Sequence, residues 1–174
     1  MDKAIILVLL FSLAIFSQNN KEPETVKKVD LKKYIGKWYE IAKIPNSFQK
    51  QCVRGTTAEY SLENDGKIKV VNSCIDEDGK RDEADGVAKI VDKQSNSKLE
   101  VSFVSFLGWR PFWGDYWILG LGPNYEYSVV GTPDRKYGWI LGREKKLTEK
   151  QLNEAYEILK KNGYDVKKFI MSEQ

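Results

Sequence analysis

After residue 28 the chain consists of short segments in which apolar and polar residues alternate, and this alternation constrains the fold more than any other feature. Turn-forming sequences such as "ENDG", "DEDG" and "GTPDRK" separate the segments about every ten residues. A period of two indicates β-strands with one buried face. Eight strands are predicted: Trp38 to Ile44, Val53 to Leu62, Lys67 to Cys74, Glu83 to Val91, Lys98 to Ser105, Asp115 to Leu121, Tyr127 to Val130 and Tyr137 to Arg143.

The period changes near the C-terminal end. Thr148 followed by Gln151 is a capping box, Leu152, Ala155 and Leu159 recur at helical spacing, and Gly163 is a C-terminal stop. A meander of eight strands removes its exposed edges by closing into a barrel, whose interior is either packed or holds one small ligand. The sequence therefore predicts an all-β fold, an eight-stranded up-and-down antiparallel β-barrel with one C-terminal α-helix packed outside.

The N-terminal segment is apolar from Ala4 to Phe16 and interrupted only by Ser12. It has the length of a signal-peptide core and is too short to span a bilayer, which takes about 20 apolar residues. We predict a signal peptide over residues 1–17, with an uncleaved anchor as the alternative. No cysteine follows the run, so a lipid anchor is not expected. Residues 18–28 predict a flexible lead-in, and residues 29–174 a single domain.

Cys52 and Cys74 are the two cysteines of the chain. In an exported protein such a pair predicts a disulfide, and two free thiols are the alternative. Both cysteines fall at the same end of the second and third predicted strands. The bond would therefore brace that end of the barrel.

Charge and motif content argue against several functional classes. The net charge is +3 with both signs interspersed, so no basic stripe indicates nucleic-acid binding. Histidine, the commonest general base and metal ligand, does not occur in the sequence. Nucleophile-elbow, phosphate-loop and dinucleotide-binding motifs are missing as well. We predict no catalytic residues, no metal site, no cofactor and no enzymatic activity.

Trp38 begins the first predicted strand and Arg143 ends the eighth, and these strands are neighbours in a closed meander. A guanidinium laid on the indole would close that end of the barrel through a cation–π contact. Gly36 would let the backbone pass close beneath. The opposite end would then be the mouth.

These residues carry a resemblance to a known family. "GKWYEI", Gly36 to Ile41, followed by "AKIPNSFQ", resembles the first signature of the lipocalins, and Arg143 in "WILGR" resembles their late basic residue. "GDYWILGL" and "LKKNGYDVKKFI" are similar to the bacterial lipocalin and apolipoprotein D branch. The family's middle signature, T-D-Y, is replaced by Leu121-Gly122-Pro123. The resemblance implies a barrel that binds a lipid-like molecule.

Parity along the strands predicts which side chains line the interior. The set is apolar with several tyrosine hydroxyls, which suits a fatty acid, lysophospholipid or similar lipid; a barrel filled by its own side chains is the alternative. Glu40 shares the parity of Trp38 and either points inward near the closed end or pairs with a nearby lysine. The predicted ligand-binding residues are Ala42, Ala58, Tyr60, Ile68, Val70, Val101, Phe103, Tyr116, Ile118, Tyr127, Tyr137 and Trp139, and Ala88, Val129 and Leu141 share their face.

The loop within "SFLGWRPFWGDYW" places five large apolar residues at the predicted mouth: Phe106, Leu107, Trp109, Phe112 and Trp113. So much contiguous apolar surface indicates a use. Three uses compete: a lid over the ligand, a membrane contact and a dimer contact. We expect an exported binding protein of the periplasm, cell envelope or extracellular space, monomeric or homodimeric, that stores or transports lipid or maintains membranes. The alternative is a partner- or membrane-docking module with a filled barrel.

Overall fold

A computed structural model of the chain describes residues 21–174, and the predicted signal peptide over residues 1–17 lies outside the described residues. Each of the first seven strands pairs antiparallel with the next, and β1 pairs with both β2 and β8, which closes the barrel. The predicted barrel is thus confirmed. The strands are β1 (Gly36–Lys43), β2 (Arg54–Leu62), β3 (Ile68–Ile75), β4 (Arg81–Ile90), β5 (Lys98–Ser102), β6 (Gly114–Leu121), β7 (Tyr127–Gly131), β8 (Gly138–Gly142) and the short β9 (Ile170–Met171).

Two α-helices accompany the barrel within the described residues, α1 (Leu31–Tyr34) below its closed end and α2 (Glu149–Lys161) on its outside. The capping box of α2 forms as predicted, since the Thr148 hydroxyl accepts from the Gln151 amide. Ala155 and Leu159 are fully buried against the barrel wall. No helix within residues 21–174 is both long and apolar enough to cross a membrane.

The C-terminal tail is part of the barrel wall, which the sequence did not predict. β1 pairs with β2 from Gly36 to Tyr39, and its upper half pairs instead with β9, Lys43 opposite Ile170. The Gly55 amide then donates to the Glu173 carbonyl at 2.7 Å. Residues 170–174 therefore fill the gap where β1 and β2 separate near the mouth.

A β-bulge in β1 changes which residues face inward. Glu40 lies opposite Leu141 and Ala42 opposite Ile140, so Ile41 is an extra residue on its strand. Ala42 consequently faces the outer apolar core between barrel and α2. The prediction that Ala42 lines the interior is wrong, because simple parity does not anticipate the bulge.

The parity assigned to β7 is also wrong. All five residues of this strand are buried, because α2 covers its outer face, so no polar alternation marks the interior side. Ser128 pairs with the inward-facing Leu141. Tyr127 and Val129 therefore belong to the outer core, and the Tyr127 hydroxyl donates to the Glu154 carboxylate at 3.2 Å.

Residues 21–28 are packed on the barrel, in contrast to the predicted flexible lead-in. The Val26 amide donates to the Ile118 carbonyl at 3.0 Å, and the Glu24 amide donates to the Asn162 side chain at 2.6 Å. Ser97 donates to the Thr25 hydroxyl at 2.8 Å. These contacts stabilise the segment against β5, β6 and the end of α2.

Candidate ligand-binding site

The closed end is built on Trp38, which is fully buried and donates its indole N–H to the Tyr34 carbonyl at 2.8 Å. The guanidinium carbon of Arg143 lies 3.7 Å from the centroid of the indole, the contact that the sequence predicts. Gly36 has a φ of +94°, and Arg143 Nη1 lies 3.5 Å from the position its Cβ would occupy. Arg143 also donates to the carbonyls of Lys33, Tyr34, Ile35 and Lys37.

Burial lowers the pKa of Arg143 from its ordinary value. The four carbonyl acceptors compensate for this loss of hydration, three of them at the end of α1. The guanidinium of Arg143 therefore links α1 to the barrel. This end of the barrel is sealed.

Beside Trp38, tyrosine hydroxyls form a buried hydrogen-bond network. The Tyr60 hydroxyl donates to the Tyr116 hydroxyl at 2.9 Å, and the Tyr34 hydroxyl lies 2.8 Å from that of Tyr116 and 3.1 Å from the Ser128 hydroxyl. Burial raises the pKa of Tyr34 to about 12 and also raises the pKa of Tyr60 and Tyr116. The hydroxyls stay neutral and satisfy one another.

Most of the predicted lining residues share one interior cluster with Trp38. Ala58, Val101 and Trp139 face this interior and are only partly buried, so its upper part is open toward the mouth. Phe103 lies above the inner face of Gly86, and its ring would clash with a Cβ there. The predicted residues in the cluster are Ala58, Tyr60, Ile68, Val70, Val101, Tyr116, Ile118 and Trp139, and sequence reasoning missed Leu99 and Val130.

A polar cluster lies on the interior face near the mouth. Glu40 is 3 % exposed, and its carboxylate lies 3.0 Å from the Lys43 ammonium. The same carboxylate accepts from Gln49 Nε2 at 2.7 Å and from the Ser172 hydroxyl at 2.6 Å. Glu40 thus points inward and pairs with a lysine, but it lies toward the mouth and not near the closed end.

Sequence reasoning missed Lys43 and Gln49. Lys43 reaches the interior only because of the bulge at Ile41, and Gln49 comes from a 3₁₀ turn, Ser47–Gln49, in the loop after β1. In the sequence, the i, i+3 spacing of Glu40 and Lys43 was the one signal that could have indicated this ion pair.

Aromatic rings stand beside this polar cluster. Tyr137 stacks on Trp139 with ring centroids 6.2 Å apart, and Phe48 lies 5.2 Å from Tyr137. The Trp139 indole N–H donates to Gln49 Oε1 at 3.2 Å. Tyr137 and Trp139 therefore line the mouth with both an aromatic surface and ordered polar groups.

The disulfide between Cys52 and Cys74 is present as predicted and joins the start of β2 to β3 at the mouth. The Cys52 amide also donates to the Gln49 carbonyl at 3.1 Å. The bond therefore fixes the 3₁₀ turn that carries Phe48 and Gln49.

The loop between β5 and β6 forms a tight hairpin that projects from the barrel. Phe106 and Trp109 exchange two backbone hydrogen bonds around Leu107 and Gly108, both of which have positive φ. Phe106, Leu107, Trp109 and Phe112 are 67, 92, 66 and 69 % exposed. The hairpin does not cover the interior as a lid in this structure.

The base of the hairpin is held in place. Arg110 donates to the Ser102 carbonyl at 2.9 Å, and the Trp113 indole N–H donates to the Arg110 carbonyl at 3.0 Å. The Lys89 ammonium lies 4.1 Å from the centroid of the Trp113 ring. Trp113 is therefore partly buried, while the four apolar side chains nearer the tip remain in solvent.

A barrel sealed at one end by tryptophan and arginine, with an apolar interior and one outer helix, defines a small-molecule-binding barrel of the lipocalin type. Residues 29–174 match the lipocalin-like domain, and the chain belongs to the lipocalin family. The predicted resemblance to bacterial lipocalins and apolipoprotein D is confirmed by the relatives described next. Membership supports binding of a small hydrophobic ligand.

Three relatives cover most of the chain. Temperature-induced lipocalin-1 of Arabidopsis thaliana is 39% identical over 85% of this chain and 81% of its own length. Outer membrane lipoprotein Blc of Vibrio cholerae is 36% identical over 87% of this chain and 88% of its own length. Apolipoprotein D of Macaca fascicularis is 36% identical over 87% and 80%. Among solved structures, insecticyanin from the tobacco hornworm Manduca sexta has a TM-score of 0.72 and 25% identity, covering 88% of this chain and 85% of that one.

Proposed function

We propose that this lipocalin binds a single-chain amphiphilic lipid, such as a fatty acid or lysophospholipid, and serves storage, transport or membrane maintenance. One observation carries the proposal: an apolar interior is sealed below by Trp38 and Arg143 and partly exposed above. The named relatives include an outer membrane lipoprotein and an apolipoprotein. The name of the second relative agrees with a lipid ligand, and the name of the first places that relative at a membrane.

Burial of an acyl chain would supply the affinity. Each methylene transferred from water contributes roughly 0.8 kcal/mol, so a dozen would supply about 10 kcal/mol before ordering costs. The partly buried Ala58, Val101 and Trp139 offer the apolar surface against which such a chain would pack. The buried tyrosine hydroxyls set the depth that it would reach.

The exposed hairpin supports a second element of the proposal, collection of the ligand at a membrane surface. Aromatic and aliphatic side chains at a projecting tip suit the interface between water and acyl chains. The disulfide supports an oxidising location, such as the periplasm, the cell envelope or the extracellular space. A dimer contact through the same hairpin is the competing use.

Native mass spectrometry of the full-length protein, purified without detergent, tests the binding role directly. We expect one acyl lipid per chain or per dimer, identified after organic extraction. Titration of lipid-free protein with a fluorescent fatty acid should then quench tryptophan emission, and Trp139→Phe should lose most of that response. If the purified protein carries no lipid and takes up no fatty acid, the docking module with a filled barrel becomes the favoured function.

Sedimentation with liposomes tests the hairpin. Trp109→Ala with Phe112→Ala should strongly weaken binding to vesicles, because two of the three exposed rings of the hairpin are removed. Val91→Ala is the matched control, since Val91 is 55 % exposed at the closed end of the barrel. Unchanged vesicle binding of the double variant would refute the membrane role. A change in its sedimentation coefficient instead would indicate the dimer contact.

A further inference from the structure

Lys43 is a buried cation on the interior face of the barrel. It is 9 % exposed and lies opposite Trp139, a residue of the interior cluster. Within residues 21–174 its only partner at ion-pairing distance is Glu40, 3.0 Å away. An ammonium has three N–H donors, and buried polar groups are nearly always hydrogen-bonded. Lys43 therefore has donor capacity that the described side chains leave unused.

The carboxylate of Glu40, in contrast, has hydrogen-bond donors on both of its oxygens. Its two carboxylate oxygens accept from Gln49 and Ser172 in addition to the ion pair. These donors hold the carboxylate in place and compensate its charge, and the carboxylate in turn fixes the position of the ammonium. A cationic ligand would have to displace one of three donors to reach Glu40. An anionic ligand needs only the free N–H groups of Lys43.

The surroundings of Lys43 fit the polar end of an amphiphile. Trp139, Tyr137 and Phe48 place aromatic surface at the same mouth, and the interior below is apolar. Asn46 Oδ1 is buried without a hydrogen-bond partner in the described structure, although Asn46 Nδ2 donates to Gln49 at 2.7 Å. This oxygen is an acceptor, so it suits a hydroxyl or N–H donor near the head of the ligand and not the oxyanion itself.

We infer that Lys43 binds the oxyanion head of the ligand, a carboxylate or a phosphate, while the acyl chain occupies the barrel interior. This inference rests on the proposed function and specifies the chemistry of its ligand. Charge-assisted hydrogen bonds are stronger than neutral ones, so an anionic amphiphile binds more tightly than a neutral amphiphile of the same chain length.

Affinities for three amphiphiles of equal chain length test the inference: dodecanoic acid, dodecyl phosphate and dodecanol. All are measured by competition with the fluorescent fatty acid at about pH 8, where both anionic heads are ionised. The wild-type protein should prefer at least one anion over the alcohol by about tenfold or more. A preference for the acid over the phosphate, or the reverse, identifies the source of the oxyanion.

The variants isolate the contribution of Lys43. Lys43→Met alone leaves Glu40 buried without its cation and risks misfolding, so Glu40→Gln with Lys43→Met is the main variant. It should lose the preference for anions and keep its affinity for dodecanol within about threefold. Lys43→Arg should retain the preference. Lys37→Met, on the outer face of the same strand, is the control and should behave as wild type.

The outcomes separate the two proposals. Equal affinity of the wild type for acid, phosphate and alcohol would overturn the role of Lys43 while leaving lipid binding intact. A persistent anion preference in the double variant would overturn it as well. If no amphiphile binds, the proposed function fails and this inference fails with it.

Discussion

Replacing Arg143 with methionine should destabilise the barrel more than any other single change at its surface. The substitution keeps much of the apolar stem and removes the guanidinium, which lies 3.7 Å from the Trp38 ring centroid and donates to four carbonyls. A desolvated cation–π contact is worth about 1–2 kcal/mol, and a hydrogen bond to a charged group about 1.5–3 kcal/mol.

These contributions do not add fully, because the four hydrogen bonds share one partly exposed group. We expect the free energy of unfolding to fall by about 3–5 kcal/mol. Urea unfolding followed by tryptophan fluorescence measures it; with a slope of about 2 kcal/mol per molar, the midpoint should fall by about 2 M. The exposed Arg81, which forms an ion pair with Glu83 at 2.5 Å, provides the control, and Arg81→Met should change stability by less than about 0.5 kcal/mol.

The Lys variant separates charge from geometry. Arg143→Lys keeps the cation and loses the planar fork, so it should recover less than half of the loss. A loss below about 1 kcal/mol in Arg143→Met would refute the reasoning, because it would mean that solvent replaces the carbonyl contacts without cost.

Three further predictions concern the mouth and the interior. Cys52→Ser with Cys74→Ser should lower the free energy of unfolding by about 2–4 kcal/mol, measured in urea against the oxidised wild type, since the bond spans 22 residues. Deleting residues 172–174 removes the Gly55 to Glu173 hydrogen bond, so hydrogen exchange should accelerate at the Gly55 amide and remain unchanged at Val70 in β3. The pKa of Tyr34 is about 12 in the folded protein and near 10 in the unfolded chain. The contribution of Tyr34 to the free energy of unfolding is therefore fully present below pH 10 and falls by about 1.4 kcal/mol per pH unit up to about pH 12. The free energy of unfolding of Tyr34→Phe should decline less steeply over this range.

The barrel itself could be predicted because its signal is repeated. Eight alternating segments, each bounded by turn residues, agree with one another, and an error at one boundary does not change the architecture. Trp38 and Arg143 could be paired for the same reason, since closure makes the first and last strands neighbours. The capping box at Thr148 is likewise a local signal that tertiary packing did not override.

The remaining features depend on contacts that leave no pattern in the sequence. β9 has two residues, Ile170 and Met171, too few for a period, and it pairs with β1 only because β1 and β2 separate there. The orientation of Tyr127 depends on α2, which buries the outer face of β7 and removes the alternation that would mark it. A single-residue insertion in a strand likewise leaves no recognisable pattern in the sequence.

One such insertion determines the chemistry of the mouth. Without the extra residue at Ile41, the register of β1 against β8 would continue without a shift, Ala42 would face Trp139 across the interior, and Lys43 would point outward. With it, Ala42 packs in the outer core, and Lys43 turns inward at a spacing from Glu40 that permits a 3.0 Å ion pair. The bulge therefore adds a cation to a rim that otherwise carries the carboxylate of Glu40. A lipocalin lacking it at this position would lack the inward-facing cation and should not favour anionic over neutral amphiphiles.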